Sequence, residues 1–282
     1  MTQVLPHSDP RVVATDLDGT FLRTDGTLSE RSALAWAALD GIGVRGIVVT
    51  ARPPRWVNQL SALVAPGSRV ICGNGAFHYD PHARRVVEEH GFEPEGLVEI
   101  VRDLRASVPG VTFAVERSDG MRAEHAYDDP HPKDAGAVED VGTVPTARVA
   151  RIEEVQDRPI GKMLALASGL ADDAFLEAVA EVLGERAVLA YSGAFGLAEI
   201  NPPGVTKAAA LAQVCAGWGV AASEVWAFGD MPNDLPMLRW AGASFAVANA
   251  HPDVASAATH GCASNDEDGV AGVLEALLAR RR

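Results

Sequence analysis

The feature that most constrains this chain is a short apolar run, Val12-Val13-Ala14-Thr15, that stops abruptly at Asp16-Leu17-Asp18-Gly19-Thr20. The run reads as a buried strand whose end carries two carboxylates, a glycine and a hydroxyl. Side chains alternate along an extended strand, so Asp16 and Asp18 are expected to point the same way, with Gly19 letting the backbone turn past them. An ordinary strand ending in an acidic turn would look the same. The functional alternative is a site in which carboxylates serve as nucleophile, proton donor and cation ligand.

The order of elements favours the second reading. Strand-like runs at 11–15, 44–50 and 68–72 are separated by two stretches of helical period. The first, 28–39, opens with Thr27 and Glu30 at capping-box spacing, and the second follows Pro53-Pro54, suited to a first helical turn. Strands alternating with helices imply a parallel sheet, where sites collect beyond the strand carboxyl ends. Asp16 and Thr50 both fall at such ends. After residue 72 the rhythm changes. Residues 76–80 and 85–89 bracket Pro81 as a hairpin, followed by a helix near 94–107 and strands near 111–117 and 121–126 joined at Asp119-Gly120. A Pro- and Asp-rich segment reaches 145. Residues 160–167 then read as a strand, 172–183 as a helix, and Ser192-Gly193 as the turn of another hairpin, so helix-then-hairpin occurs twice. From about 205 the alternation returns, with strands at 225–229 and 244–248 and a last helix from Val270. The expected fold is α/β: a Rossmann-like parallel-sheet core formed by 1–84 and 197–282, interrupted by an inserted α+β cap at 85–196.

A second strand end carries acids. Val225-Trp226-Ala227 leads into Phe228-Gly229-Asp230-Met231-Pro232-Asn233-Asp234. If both tips lie in one sheet, Asp16, Asp18, Asp230 and Asp234 converge on a small volume. At ~4 Å two like charges repel by about 1 kcal/mol in bulk water and about 4 at an effective dielectric near 20, so a cation must offset them. An all-oxygen ligand set suits Mg²⁺, which keeps waters and bridges to phosphate. Lys207 opens a helix after Pro202-Pro203-Gly204, with Thr206 placed as N-cap. Such a lysine can simply solvate a helix; alternatively it fixes positive charge where anions are welcome, and Thr50 could offer a hydroxyl and an N–H to the same anion.

Composition narrows the partners. The chain of 282 residues has a formal charge of -14, which disfavours nucleic acid. No segment approaches membrane-spanning length and residues 1–10 lack an export pattern, so cytoplasmic residence is expected. Cys72, Cys215 and Cys262 are isolated and read as small buried hydrophobes. Gly41-Ile42-Gly43-Val44-Arg45-Gly46 spells the dinucleotide fingerprint, but a helix precedes it and a strand follows, the reverse of what a pyrophosphate site needs. Gly161-Lys162 lacks the upstream glycine of a P-loop. His78 and His82 flank Pro81 and do not form a helical zinc pair; His125 and His131 read as loop residues.

Read together, these places resemble the haloacid dehalogenase-like phosphatase superfamily. DLDGT at 16–20 matches its first motif, Thr50 its second, Lys207 its third and GDMPNDLPML at 229–238 its fourth. The closer likeness is to the Cof-type sugar-phosphatase branch, carried by TARP at 50–53, CGNGAF at 72–77, EINPPGVTKAAAL at 199–211 and NDEDGVA at 265–271. Ala51 and Ala208 stand where that branch has glycine. The resemblance implies that Asp16 attacks phosphorus and that Asp18 protonates the leaving oxygen and then activates water. It implies Mg²⁺ held by Asp16, the Asp18 carbonyl and Asp230, with Asp234 acting through a metal-bound water. Lys207, Thr50 and Asn233 would bind the phosphoryl oxygens, and Arg52 is a further substrate candidate. The implied substrate is a small phosphorylated metabolite, sugar phosphates foremost. The rivals are a sugar phosphomutase and a phosphometabolite-binding regulator without turnover. Arg117, Arg122, His125 and Lys162 are polar cap candidates for specificity. No protein partner is inferable.

Overall fold

A computed structural model describes residues 5–58, 61, 64, 68–128, 146–155, 157–167, 172–192 and 196–281. In chain order the first elements are β1 (Val12–Thr15), α1 (Glu30–Ala37), β2 (Arg45–Val48), β3 (Val70–Cys72), β4 (Phe77–Asp80) and β5 (Arg85–Glu89). They are followed by α2 (Pro94–Ser107), β6 (Thr112–Arg117), β7 (Gly120–Glu124), β8 (Ala147–Val149), β9 (Lys162–Leu166), α3 (Asp172–Leu183), β10 (Val188–Ala190) and β11 (Leu197–Asn201). The chain closes with α4 (Lys207–Gly217), β12 (Val225–Gly229), α5 (Leu235–Trp240), β13 (Ala243–Ala246), α6 (Pro252–Ala257), β14 (His260–Gly261) and α7 (Gly269–Arg280).

The central sheet runs β14-β13-β12-β1-β2 with every pairing parallel, and a parallel bridge from Val49 to Ile71 links it to β3. Parallel strands are buried on both faces, which is why β1 and β12 are apolar without alternation. Val13, Trp226, Phe228 and Phe245 pack with Trp36 of α1 and Leu274 and Leu277 of α7. Val12, Ala14, Ile47 and Ala227 face the other way, onto Leu211 and Cys215 of α4 and Met237 of α5. Helices therefore cover both faces, and the carboxyl ends of β1, β2 and β12 open on one edge.

The second layer is a six-stranded sheet, β10-β11-β9-β6-β7-β8, antiparallel except for β7 with β8. One face, including Phe113, Val115, Met163, Ala165 and Ile200, packs on Leu97, Ile100 and Leu104 of α2 and Phe175 and Val179 of α3. The helix-then-hairpin pattern recurs as α2-β6-β7 and α3-β10-β11. Hydrogen bonding divides the sheets differently from the expected boundaries at 84/85 and 196/197. β5 pairs with β4, and β11 pairs with β9 and β10, so residues 85–89 stay with the β3-β4-β5 sheet and 197–201 belong to the six-stranded one. A hairpin cannot be cut between its strands, which is the physical reason for the shift.

Two local expectations also change. Where a helix is expected after Pro53-Pro54, the described residues show a 3₁₀ turn, Pro54–Trp56, and 3₁₀ geometry again at 58 and 61, with no α-helix among them. α1 is capped by Ser29, whose side chain accepts from the Ser32 amide, whereas Thr27 is bound to Asp25. Serine at N-cap competes directly with the capping box expected two residues earlier. Residues 41–46 run from a helical turn into β2. His131, Gly193 and the acidic segment up to 145 lie outside the described residues, among which no helix is long and apolar enough to cross a membrane.

Candidate active site

β1 and β12 are direct neighbours, with Thr15 opposite Phe228, so the residues that follow them, Asp16 and Asp230, emerge side by side. The close approach depends on Gly19: its φ is +74°, and a Cβ there would lie 2.4 Å from Asp230 Oδ2. The Gly19 carbonyl accepts from Asn249 Nδ2 at 2.7 Å, and Thr20 Oγ1 donates to Asp230 Oδ1 at 2.6 Å. Lys207, at the first turn of α4, is fully buried, and its ammonium donates to Asp16 Oδ1 and Asp234 Oδ1, both at 2.6 Å. The other Asp234 oxygen accepts the amides of Asp230 and Met231 at 3.0 and 3.1 Å. Asp234 thus anchors both the lysine and the loop that carries Asp230.

Three of the four expected carboxylates converge. Ligand oxygens of Asp16, Asp230 and Asp234 lie within 4.8 Å of one another. The Asp18 side chain stands on the solvent side, 56% exposed, because the strand ends at Thr15 and its alternation does not continue to 18. Arg52 grips it with two bonds, Nε to Oδ2 at 2.8 Å and a terminal nitrogen to Oδ1 at 2.6 Å. Arg52, a substrate candidate from the sequence, is therefore the partner of Asp18. Thr50 is buried beyond β2; its Oγ1 accepts the Arg52 amide at 3.0 Å and its carbonyl accepts the Asn74 amide at 3.0 Å. Asn233 is half-buried and donates to Asn74 Oδ1 at 3.2 Å.

The electrostatics follow from this burial. Desolvation, joined by the charges of Asp234, Asp230 and Asp18, pushes the Asp16 carboxyl well above the ordinary aspartate range, against the pull of Lys207. Burial and then the Asp234 charge raise Asp230 to about 6, with Thr20 and Lys207 opposing. Burial would push the Lys207 ammonium down, but Asp16 and Asp234 outweigh it and hold its pKa above the usual lysine value. With all four carboxylates ionised, Lys207 and Arg52 would leave two negative charges uncompensated, a charge that burial resists and that one divalent ion would neutralise. Oxygen donors, with no histidine or thiolate among them, match a hard cation such as Mg²⁺.

Of the cap candidates, only Lys162 reaches this edge of the core, where it donates to the Ala51 carbonyl at 2.9 Å. Arg117 is buried against Asp119 and Asp157, Arg122 pairs with Asp119, and His125 is an exposed turn residue. Thr20, Asn74, Glu199 and Asn249 were not singled out by sequence reasoning. The first three lie inside the quoted motifs, the one signal that could have marked them.

A buried lysine shared by two carboxylates, with a third carboxylate beside them, at the carboxyl edge of a parallel sheet that meets a second, mostly antiparallel sheet, defines an α/β protein with an acidic edge able to take a cation. The chain belongs to the haloacid dehalogenase-like hydrolase family, whose model matches residues 13–274. It is 29% identical over 280 residues to the 5-amino-6-(5-phospho-D-ribitylamino)uracil phosphatase YitU of Bacillus subtilis, covering 95% of this chain and 98% of that one. It is 28% identical over 263 residues to the HMP-PP phosphatase of Cronobacter sakazakii, covering 89% and 88%. Among solved structures it is similar to BT1666 from Bacteroides thetaiotaomicron, one of the phosphatases of the haloalkanoate (HAD) enzyme superfamily, with a TM-score of 0.78 over 97% of this chain and 98% of that one at 23% identity.

Proposed function

We propose that the protein is a Mg²⁺-dependent phosphatase that hydrolyses small phosphate monoesters, sugar phosphates foremost, through an aspartyl-phosphate. The observation that carries this reading is Lys207, buried and held at 2.6 Å from both Asp16 and Asp234. A lysine fixed there opposes the upward push of burial on the Asp16 carboxyl, so favouring its ionised, nucleophilic form, and still offers charge to an incoming phosphoryl group. The names of the phosphatase relatives support the substrate class.

Asp16 attacks phosphorus, and the P–O bond to the leaving alcohol breaks as Asp18 gives that oxygen its proton. Asp18, now ionised, takes a proton from water, which attacks the phosphorus of the acyl phosphate; inorganic phosphate leaves and Asp16 is restored. Lys207, the Thr50 hydroxyl and the Asn233 amide bind the phosphoryl oxygens, while Arg52 orients Asp18 between its two proton transfers. Asp16, the Asp18 carbonyl and Asp230 would hold Mg²⁺, with Asp234 beside them, and the bound ion would screen the repulsion between Asp16 and the phosphate dianion. The cap keeps other water out.

The test is phosphate release from a panel of small monoesters with Mg²⁺ and with EDTA, for the parent chain and for Asp16→Asn. Release that requires Mg²⁺ and falls by about 10³-fold or more in the variant is expected. Turnover surviving in folded Asp16→Asn removes Asp16 as nucleophile. An isomerised ester without free phosphate would mean a mutase, and binding without any turnover a regulator.

A further inference from the structure

The cap meets the core through a buried charged joint that the reaction above does not use. Lys162, the first residue of β9, and Glu199, in β11, are 4% and 3% exposed and pair at 3.2 Å. Both belong to the six-stranded sheet, yet each also binds the core. Lys162 donates to the Ala51 carbonyl at 2.9 Å, and the same Glu199 oxygen accepts Asn74 Nδ2 at 2.8 Å. The other Glu199 oxygen accepts the Ser192 hydroxyl. Although burial pushes the Glu199 carboxyl up, Lys162, Ser192 and Asn74 hold it below the ordinary glutamate range.

What these two residues hold is informative. Ala51 lies between Thr50 and Arg52, so fixing its carbonyl fixes the turn that presents the Thr50 hydroxyl and aims Arg52 at Asp18. Asn74 sits at φ 57°, a left-handed conformation that asparagine tolerates better than most residues but that still needs outside support. Its amide donates to the Thr50 carbonyl and its side-chain oxygen accepts from Asn233. The seam has little slack: a Cβ on Gly161, next to Lys162, would lie 2.3 Å from the Phe77 ring. An apolar pair could fill the same volume without the cost of desolvating two charges, so stability alone does not account for the joint.

We propose that Lys162 and Glu199 are positioning residues that couple the seating of the cap to the placement of Thr50, Arg52 and Asn233. The inference rests on the phosphatase reading for its kinetic consequence but not for its structural one. The experiment compares the parent with Lys162→Met, Glu199→Gln and the double variant Lys162→Met/Glu199→Leu, which leaves no unpaired charge buried. Two substrates are used: p-nitrophenyl phosphate, with little for the cap to grip, and the best alkyl ester of the parent. The expected result is a fall in kcat of roughly 10- to 100-fold on both esters, with KM changed far less. The double variant should regain stability but not kcat. Backbone deuterium exchange should quicken at Arg52, Gly73 and Asn74, whose amides are bound within this turn. A loss confined to the alkyl ester would overturn the proposal, because Lys162 would then be a substrate contact. So would recovery of kcat in the double variant, or exchange unchanged from the parent. If the parent itself releases no phosphate, the functional reading fails while the exchange comparison still decides the coupling.

Discussion

Asp230 gives a direct test of the charge balance in the site. Burial first, and then the Asp234 charge, raise its carboxyl from 3.8 to about 6, with the Thr20 hydrogen bond and Lys207 opposing. Between those values the native chain keeps a proton that the unfolded chain has released, so stability falls as pH rises across the interval. Each tenfold change in proton affinity is about 1.4 kcal/mol, which puts the penalty above the interval at about 3 kcal/mol for the ion-free protein. Asp230 is only 6% exposed, so solvent screening does not reduce this figure greatly. Asparagine preserves the shape and the oxygen that accepts from Thr20 but removes the charge. In EDTA near pH 7.5, Asp230→Asn should therefore be about 3 kcal/mol more stable than the parent, with the gap closing toward pH 4. For a chain of this length that is about 5 to 10 °C in Tm. Mg²⁺ should raise the parent and leave the variant almost unmoved. Thermal unfolding followed by circular dichroism across this pH range, with EDTA and with Mg²⁺, checks all three points. A parent as stable as the variant in EDTA at neutral pH, or an equal gain from Mg²⁺ in both, would refute the reasoning.

Lys207→Met leaves Asp16 and Asp234 buried without their shared cation, so it should cost about 3–5 kcal/mol at neutral pH and abolish phosphate release. Urea unfolding of the purified variant measures the loss, and a cost under about 1 kcal/mol would mean that the pair is not buried as described. Gly19→Ala drives a methyl into Asp230 and should lower both Mg²⁺ affinity and activity by about 10²-fold or more. Gly43→Ala, at φ +69° with nothing within 4 Å, should cost only about 1–2 kcal/mol of backbone strain and no activity; isothermal titration with Mg²⁺ separates the two.

The sequence announces the acidic edge of the sheet because two independent signals coincide there. An apolar run long enough for a doubly covered strand ends at Asp16, and another ends at Asp230; a parallel sheet brings such ends together whatever the intervening chain does. The same logic locates Thr50. It does not find the partners of Lys207, because whether a lysine at a helix start faces solvent or a carboxylate depends on how α4 packs against the sheet. Nor does it find the joint between layers. Lys162 and Glu199 are 37 residues apart, and Asn74 and Glu199 are 125 apart. Neither spacing has a period to read, and in a strand a charged residue ordinarily signals the solvent face. Here it signals the face turned toward the other layer. The sheet to which β11 belongs is hidden for a related reason: it has the apolar pattern of either sheet, and only its partner decides. Motifs in this chain thus mark which residues matter, while the partners of Lys207, Asn74 and Glu199 are set by how separate elements pack. That Glu199 binds both Lys162 and, across the two layers, Asn74 becomes visible only when both layers are in place.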